Sequence, residues 1–236
     1  MRTFIGMNDP EQFLTALQLG DSFFPSGAFA YSSGLETFVS DGLVCCREDL
    51  VRFIDSYLLG LVARSDLLFV KLSCSAAVGG DLDEIVRLDH LIHAMKPAKE
   101  LREASMQMGR QVLLVIKGLY PSSIARSLWQ RLEERKLWGH HAVIFGAVCA
   151  DIGVETEKAL LTYLYAAVSS LVSAGVRLIP LGHSDGQLAI GELKPVMTRI
   201  TMAVALLGES DICTFAPALE VRAMQHEHLF TRLFKS

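Results

Sequence analysis

The sequence predicts an all-α protein, folded as a single bundle of about ten helices. In nearly every segment apolar residues recur at helical spacing, and no stretch alternates between apolar and polar residues as a half-buried strand would. Glycines, prolines and N-capping residues divide the chain into pieces of helix length. With 236 residues, 51% of them hydrophobic, the chain is long enough for one large core. We therefore predict one domain over residues 1–236.

Residues 21–36, DSFFPSGAFAYSSGLE, are the least ordinary part of this pattern. Pro25 disfavours helical conformation at the residue before it, so the segment should begin as an extended loop, and Ser26 can cap a following helix. We predict that helix over residues 27–39. Its two glycines would share a face with Tyr31, which suggests close approach of another backbone.

The other helices are predicted from apolar spacing and from start and stop residues, with Asp9, Asp81 and Ser122 as N-caps. They are expected near residues 10–20, 47–61, 65–78, 81–96, 99–117, 122–132, 140–154 and 155–179, with two more after residues 183 and 195. Residues 159–176 contain eighteen positions without a charge, which is the length of a membrane span. Because six of these side chains carry hydroxyl groups, we predict a central, largely buried helix instead.

Composition excludes several classes of function. The net charge is -4 without a long basic run, which argues against nucleic acid or an anionic membrane as a partner. Five cysteines without CxxC spacing indicate neither a disulfide framework nor a zinc ribbon, and they fit a reducing cytosol. Asn8, Asp9 and Glu11 lie where a signal peptide would be apolar. These observations predict a cytoplasmic protein.

The chain contains no motif of a catalytic site. It lacks a GxSxG turn, a GxxxxGK[ST] phosphate loop, a GxGxxG fingerprint and an HExxH pair, so we predict that it is not an enzyme. His90 and His93 are three residues apart on a predicted helix and could share a metal ion. Solvated polar positions are the favoured interpretation for these and the other histidines.

Five segments, in order along the chain, carry a resemblance to a known family. They are residues 21–36, then LREASMQMGR at 101–110, HHAVIFGAVCADIGV at 140–154, VRLIPLGHSDGQ at 176–187 and MQHEHLFTRLFKS at 224–236. Together they resemble the UreF family of urease accessory proteins, from about residue 14 to the end of the chain. Two positions depart from the family pattern: Ser33 precedes Gly-Leu-Glu where many members have histidine or glutamine, and His183 replaces a frequent glutamine.

The resemblance implies an all-α cytoplasmic assembly factor, homodimeric in its complex. Such a protein would bind UreD (also called UreH) and the GTPase UreG, and the complex would place nickel in the urease apoprotein. It implies no tightly bound cofactor, because nickel is handled by the complex and GTP is bound by the partner GTPase. The alternative hypothesis is a nickel carrier that holds the ion through His90, His93, His226 and His228.

The resemblance also selects candidate partner-binding residues. They are Phe24, Pro25, Tyr31, Glu36, Arg102, Arg110, Arg177, Gln187, His226, Glu227, Arg232, Leu233 and Phe234. Residues 224–236, called here the C-terminal tail, end in apolar side chains that should not find room in a completed bundle, so the tail is predicted to become ordered on a partner. One of Arg102, Arg110 and Arg177 is a candidate to influence GTP hydrolysis by the partner.

Overall fold

The computed structural model describes residues 10–121, 123–214, 216–230 and 232–235. Within these ranges the prediction of an all-α fold is confirmed, since they form eleven α-helices and no strand. The helices are α1 (Pro10–Gly20), α2 (Leu35–Ser40), α3 (Arg47–Tyr57), α4 (Leu67–Val78), α5 (Leu82–Met95), α6 (Lys99–Leu119), α7 (Ala125–Glu133), α8 (His141–Asp151), α9 (Thr156–Leu178), α10 (His183–Ala205) and α11 (Pro217–His226).

The predicted helix over residues 27–39 is wrong. A 3₁₀ turn, Ala28–Ala30, is followed by an extended Tyr31, and α2 begins only at Leu35. Gly27 and Gly34 have φ angles of 83° and 86°, in the left-handed region that an α-helix cannot use. The glycines therefore turn the chain rather than thin a helix.

The predicted separate helices at 47–61 and 65–78 are also wrong, because helical structure runs without interruption from α3 to α4. A π-helical segment, Leu58–Asp66, joins them. A π-helix carries more residues per turn than an α-helix, and such segments are frequent at functional sites. Here the segment turns Ser65 and Asp66 toward the interior of the protein.

The centre of the core is the contact between α4 and α8. Every residue of α8 from Ala142 to Cys149 is buried, so this helix has no solvent face. A Cβ atom at Gly146 would lie 2.2 Å from the Val70 carbonyl oxygen, which means that the two backbones touch there. The prediction that Gly146 lies inside this apolar helix is confirmed.

The long apolar helix α9 packs against α10, α1, α4 and α8. By length and composition it could cross a membrane, but half of its most apolar 18-residue stretch is buried inside the protein. A core helix passes the same test of apolarity, and the neighbours on several sides of α9 identify it as one. The prediction of a central helix is confirmed.

Three other details differ from the sequence-based predictions. α10 continues through Pro195 rather than restarting after it. The buried stripe of α6 contains Ala104, Ser105, Gly109 and Val112, whereas Leu101, Met108 and Val115 are only partly covered. The predicted N-caps Asp9 and Ser122 lie outside the described residues, and Asp81 is confirmed because its carboxylate accepts a hydrogen bond from the Glu84 amide at 2.9 Å.

Candidate partner-binding site

Four titratable side chains from three distant parts of the chain meet in one group, the Glu36 cluster, made of Glu36, Glu100, His226 and the exposed Arg232. His226, at the end of α11, is completely buried. Its Nε2 lies 3.0 Å from Glu36 Oε2, and its Nδ1 lies 2.7 Å from Glu100 Oε2. The Arg232 guanidinium donates to Glu100 Oε1 at 2.9 Å. The cluster thus links α2, α6, α11 and the C-terminal tail.

The same Glu36 carboxylate holds the end of the tail. It accepts hydrogen bonds from the backbone amides of Leu233, at 2.6 Å, and Phe234, at 3.1 Å. Further along, the Lys235 amide donates to the Ala30 carbonyl at 2.9 Å. Because these bonds go to backbone groups, they fix the path of the tail whatever its side chains are.

Arg177 of α9 ties the 21–36 segment to the tail on the other side. Its guanidinium lies 3.7 Å from the centre of the Phe29 ring and 4.3 Å from that of Phe234, and it donates to the Phe29 carbonyl at 3.0 Å. Partial burial lowers the pKa of Arg177 from its ordinary value. The guanidinium is therefore a bridge between two aromatic rings, an arrangement that stabilises both segments.

The expectation that the tail has no room on the bundle is wrong for Phe234, which is 5% exposed. It holds for Phe230 and Leu233, which remain exposed. The reason is that an extended backbone can follow the 21–36 segment and insert one ring, which a helix of the same sequence could not do. Whether a partner orders the rest of the tail stays a prediction.

Tyr31 and Phe24 also face the interior. The Tyr31 hydroxyl donates to Gln107 Oε1 of α6 at 2.6 Å, and burial, with a smaller contribution from the charge of Glu103, raises its pKa. Phe24 is buried, whereas its neighbour Phe23 is almost completely exposed, so the expectation of an exposed Phe-Phe pair is half wrong. Ser26 Oγ accepts a long hydrogen bond from the Ala28 amide at 3.4 Å, but the helix that Ser26 was predicted to cap does not form, so that prediction is wrong.

A cavity of ≈ 630 Å³ lies behind the 21–36 segment. α9 forms its floor, and Gln187 of α10 lines its far side. Tyr57, Asp66, Tyr163 and His141 give the inner wall polar groups. Burial lowers the pKa of His141 to about 4, so its ring is neutral in this apolar setting.

Beneath the cavity lies a buried ion pair. Lys96 Nζ is 2.7 Å from Asp66 Oδ1, at the end of the π-helical segment. Burial by itself would lower the pKa of Lys96, but the Asp66 carboxylate outweighs it and raises the pKa above its ordinary value. Burial, reinforced by the charge of Asp66, raises the pKa of Tyr57, and Ser33 hydrogen-bonds to that tyrosine. Ser33, one of the two residues that depart from the family pattern, therefore interacts with Tyr57 of the same chain.

The remaining predicted residues do not join this group. Arg102 donates to the carbonyls of Lys96 and Pro97, at 2.7 and 3.2 Å, and so caps the end of α5. Arg110 and Pro25 are exposed, and Glu227 is partly buried at the end of α11. Of the three candidate arginines, Arg110 is therefore the one whose side chain faces solvent.

His90 and His93 do not share a site. His90 Nε2 bonds to the Lys136 carbonyl at 3.1 Å, while His93 Nδ1 lies 3.0 Å from His140 Nε2 and its ring stacks on Trp138. Within the described residues no group of three or more His, Cys, Asp or Glu side chains converges as a metal site would. The favoured interpretation of the histidines as solvated positions is wrong for His140 and His226, which are completely buried, and holds for His90, which is exposed.

Sequence reasoning missed several residues that the structure places here. Glu100 and Gln107 read as ordinary solvated positions of α6, and Phe29 as part of a helix. Nothing in the neighbouring sequence distinguishes these three residues, because the partner of each is between 76 and 148 residues away along the chain. Only the family motifs, which contain Glu36, Arg177 and His226, indicated that these segments belong together.

The fold and site define an all-α protein whose buried polar cluster joins separate segments of its own chain and leaves apolar side chains exposed beside them. The family model described as UreF matches residues 44–194. Urease accessory proteins UreF from Bacillus sp. (strain TB-90) and Lachnoclostridium phytofermentans are each 34% identical, over 95% and 94% of this chain and 99% and 98% of theirs. The protein from Sporosarcina pasteurii is 34% identical over 86% of this chain and all of its own. The chain belongs to the UreF family of urease accessory proteins.

Proposed function

We propose that this chain acts in urease maturation as a scaffold that bridges UreD (UreH) and the GTPase UreG, so that the complex delivers nickel to the urease apoprotein. In this proposal the chain works in the cytoplasm as a homodimer within the complex. It holds no cofactor of its own: nickel is the cargo of the assembly and GTP belongs to the partner.

The observation that carries the proposal is the meeting of the 21–36 segment and the C-terminal tail on one side of the bundle. The tail amides donate to the Glu36 carboxylate and the Ala30 carbonyl, and Arg177 lies between Phe29 and Phe234. Around this junction Phe23, Phe29, Phe230 and Leu233 expose large apolar surfaces. Exposed aromatic residues held by a rigid polar frame are typical of protein interfaces. We assign UreD to this surface.

Replacement of the exposed side chains tests the assignment without removing the buried ones. Phe230→Ser together with Leu233→Ser should weaken binding of UreD by about tenfold or more, because central apolar contacts carry much of an interface's free energy. Leu206→Ser, an equally exposed apolar side chain at the end of α10, is the matched control and should bind as the wild type does. Titration of purified UreD by calorimetry gives the dissociation constants.

Wild-type affinity in the double variant, confirmed by undiminished binding after deletion of residues 224–236, would reject the tail as the UreD surface. A carrier of nickel would instead retain the ion as an isolated chain in equilibrium dialysis. We expect no such retention, because the rings of His90, His93 and His226 bond to a backbone carbonyl, to His140 and to carboxylates rather than converging.

For regulation of GTP hydrolysis we propose Arg110, because its side chain is exposed while Arg102 and Arg177 are bonded within the chain. An arginine supplied in trans can stabilise charge on a transferring phosphoryl group. Arg110→Ala should change the GTPase turnover of UreG in the complex, with Arg126→Ala on the exposed side of α7 as the control. Equal turnover in both variants would remove the hypothesis.

A further inference from the structure

The bonding of His226 requires a proton that a neutral imidazole does not have. Both ring nitrogens lie within hydrogen-bond distance of carboxylate oxygens, Nε2 of Glu36 and Nδ1 of Glu100. An ionised carboxylate only accepts hydrogen bonds, and a neutral imidazole donates only one. Both contacts are therefore satisfied only when the cluster holds one additional proton, shared between the ring and its carboxylates.

The charges of the cluster lead to the same requirement. Glu36 and Glu100 bring two negative charges, and Arg232 brings one positive charge. With His226 as an imidazolium the four side chains sum to zero. Without that proton a net negative charge remains around a ring that has no solvent contact, beside carboxylates whose side chains are 9% and 14% exposed. Leaving a buried charge uncompensated is costly.

No other charged group takes over this role in the described structure. The groups that face His226 come from α2 (Glu36), α6 (Glu100) and the tail (Arg232). On the flanks, Arg222 of α11 pairs with Asp41, and Arg177 of α9 lies on the rings of Phe29 and Phe234. The proton shared by His226 and its two carboxylates is therefore the one that balances the charge of the cluster.

We propose that His226 is a proton-dependent latch for the C-terminal tail: the imidazolium joins Glu36 to Glu100 and keeps residues 232–235 bound, and loss of the proton releases them. The link is Glu36, whose Oε2 accepts from both His226 and the Phe234 amide and whose Oε1 accepts from Leu233. After loss of the proton the ring can donate to only one of the two carboxylates and turns a lone pair toward the other. The repulsion that results separates Glu36 from Glu100 and displaces the carboxylate that accepts the Leu233 and Phe234 amides. We therefore expect the tail to be bound at low pH and released at high pH.

Hydrogen exchange of the C-terminal peptide in the full-length protein measures this directly. Protection is expressed relative to the free synthetic peptide at the same pH, which removes the intrinsic dependence of exchange on pH. In the wild type we expect protection to fall about tenfold between about pH 6 and about pH 8.5, the change produced by the loss of one charged hydrogen bond. The isolated chain suffices, so the result does not depend on the proposed partners.

Three variants separate the latch from general destabilisation. His226→Gln should show low protection at both pH values. Glu100→Gln should keep the tail bound at both, because an amide can donate to a neutral imidazole and the additional proton is no longer needed. His228→Gln, which changes an exposed histidine two positions away, should behave as the wild type does.

The proposal is overturned by equal wild-type protection at the two pH values, or by wild-type pH dependence in Glu100→Gln. If His226→Gln does not fold, the result for Glu100→Gln is sufficient to test the latch. This substitution replaces one side-chain oxygen by an amide nitrogen and leaves the imidazole in place. A failure of the chain to bind UreD, with tail protection still dependent on pH as described, would contradict the proposed function but would not affect the latch.

Discussion

Two histidines of this protein, His140 and His226, are completely buried, and their ring nitrogens face different kinds of partner. His226 lies between two carboxylates. His140 belongs to what we call the His140 cluster, with Asp89, His93 and Ser105: its Nδ1 lies 3.1 Å from Ser105 Oγ and its Nε2 lies 3.0 Å from His93. Burial, with smaller contributions from nearby cations, lowers the pKa of His140 to about 3. Burial is thus the main cause for His140, whose nitrogens contact Ser105 and His93, whereas the nitrogens of His226 face two carboxylates.

The buried carboxylates of the two clusters differ in the same way. Asp89 accepts three backbone amides from one loop, those of Trp138, at 2.6 Å, Gly139, at 3.1 Å, and His140, at 2.7 Å. Glu36 accepts two backbone amides and the imidazole of His226. The first arrangement fixes a loop through neutral backbone donors, although burial raises the pKa of Asp89 above its ordinary value, whereas the second depends on a proton shared with His226.

The largest effect is expected from Asp89→Asn. An amide in place of the carboxylate presents N–H groups where the loop presents N–H groups, so at least one buried donor is left without an acceptor. The free energy of unfolding should fall by about 3 kcal/mol. Asp83→Asn, whose carboxylate forms an exposed ion pair with Arg131, should change it by less than about 0.5 kcal/mol. Urea denaturation compares the two, and equal effects would contradict a special role for Asp89.

The next effect tests how tightly the His140 cluster is enclosed. A Cβ at Gly109 of α6 would lie 2.1 Å from the Gly139 carbonyl oxygen, so Gly109→Ala must displace the loop and should cost about 2 to 3 kcal/mol. Gly118→Ala, on the same helix with open space around it, should instead stabilise by up to about 1 kcal/mol. Thermal unfolding gives both values. A neutral Gly109→Ala would show that the loop yields easily.

The effect that should be smallest near neutral pH is a pH dependence of stability, which should have opposite signs in the two regions. The folded pKa of His140 is about 3 and that of His141 about 4, both below the ordinary value of 6.5. Below that value the unfolded chain binds protons that the folded chain refuses, so stability is lost as pH falls, by up to about 1.4 kcal/mol per unit for each histidine. Protection of the tail should rise over the same fall in pH.

Comparison with His140→Gln isolates the contribution of His140 to the pH dependence of stability. The carboxylates titrate equally in wild type and variant, so their contribution cancels in the difference. The variant should be less stable near neutral pH, where it lacks the imidazole contacts, but its free energy of unfolding should vary less between about pH 6.5 and about pH 5. Denaturant titrations at a series of pH values measure the difference. Identical slopes in wild type and variant would mean that His140 binds protons equally in the folded and unfolded states, and would contradict the lowered pKa.

Much of the fold could be predicted because the helices depend on local spacing. Leu50, Phe53 and Ile54 mark the buried face of α3 in the sequence and are buried in the structure. The failures come from glycines and from the π-helical segment. Gly27 and Gly34 suggested helix packing, but their positive φ angles turn the chain, and no residue pattern distinguishes these two uses of glycine.

The candidate site could be predicted only in part, for a related reason. The family motifs supplied Tyr31, Glu36, Arg177 and His226, and these four do meet around the 21–36 segment and the tail. Glu100 carried no such mark, although it is one of the two carboxylates on His226. Its role depends on α6 passing beside α11, and long-range contacts of this kind have no local signature.

By itself, the sequence determined the all-α class, the order of most helices, membership of the UreF family and the segments that carry its motifs, because these depend on periodicity and residue identity. The tertiary structure decided that the tail lies against the 21–36 segment, that Phe234 is buried while Phe230 is exposed, and that one buried histidine is neutral and the other is held between carboxylates. These features depend on which groups face each other across the fold, and the free energy of a buried charge depends on those neighbours alone.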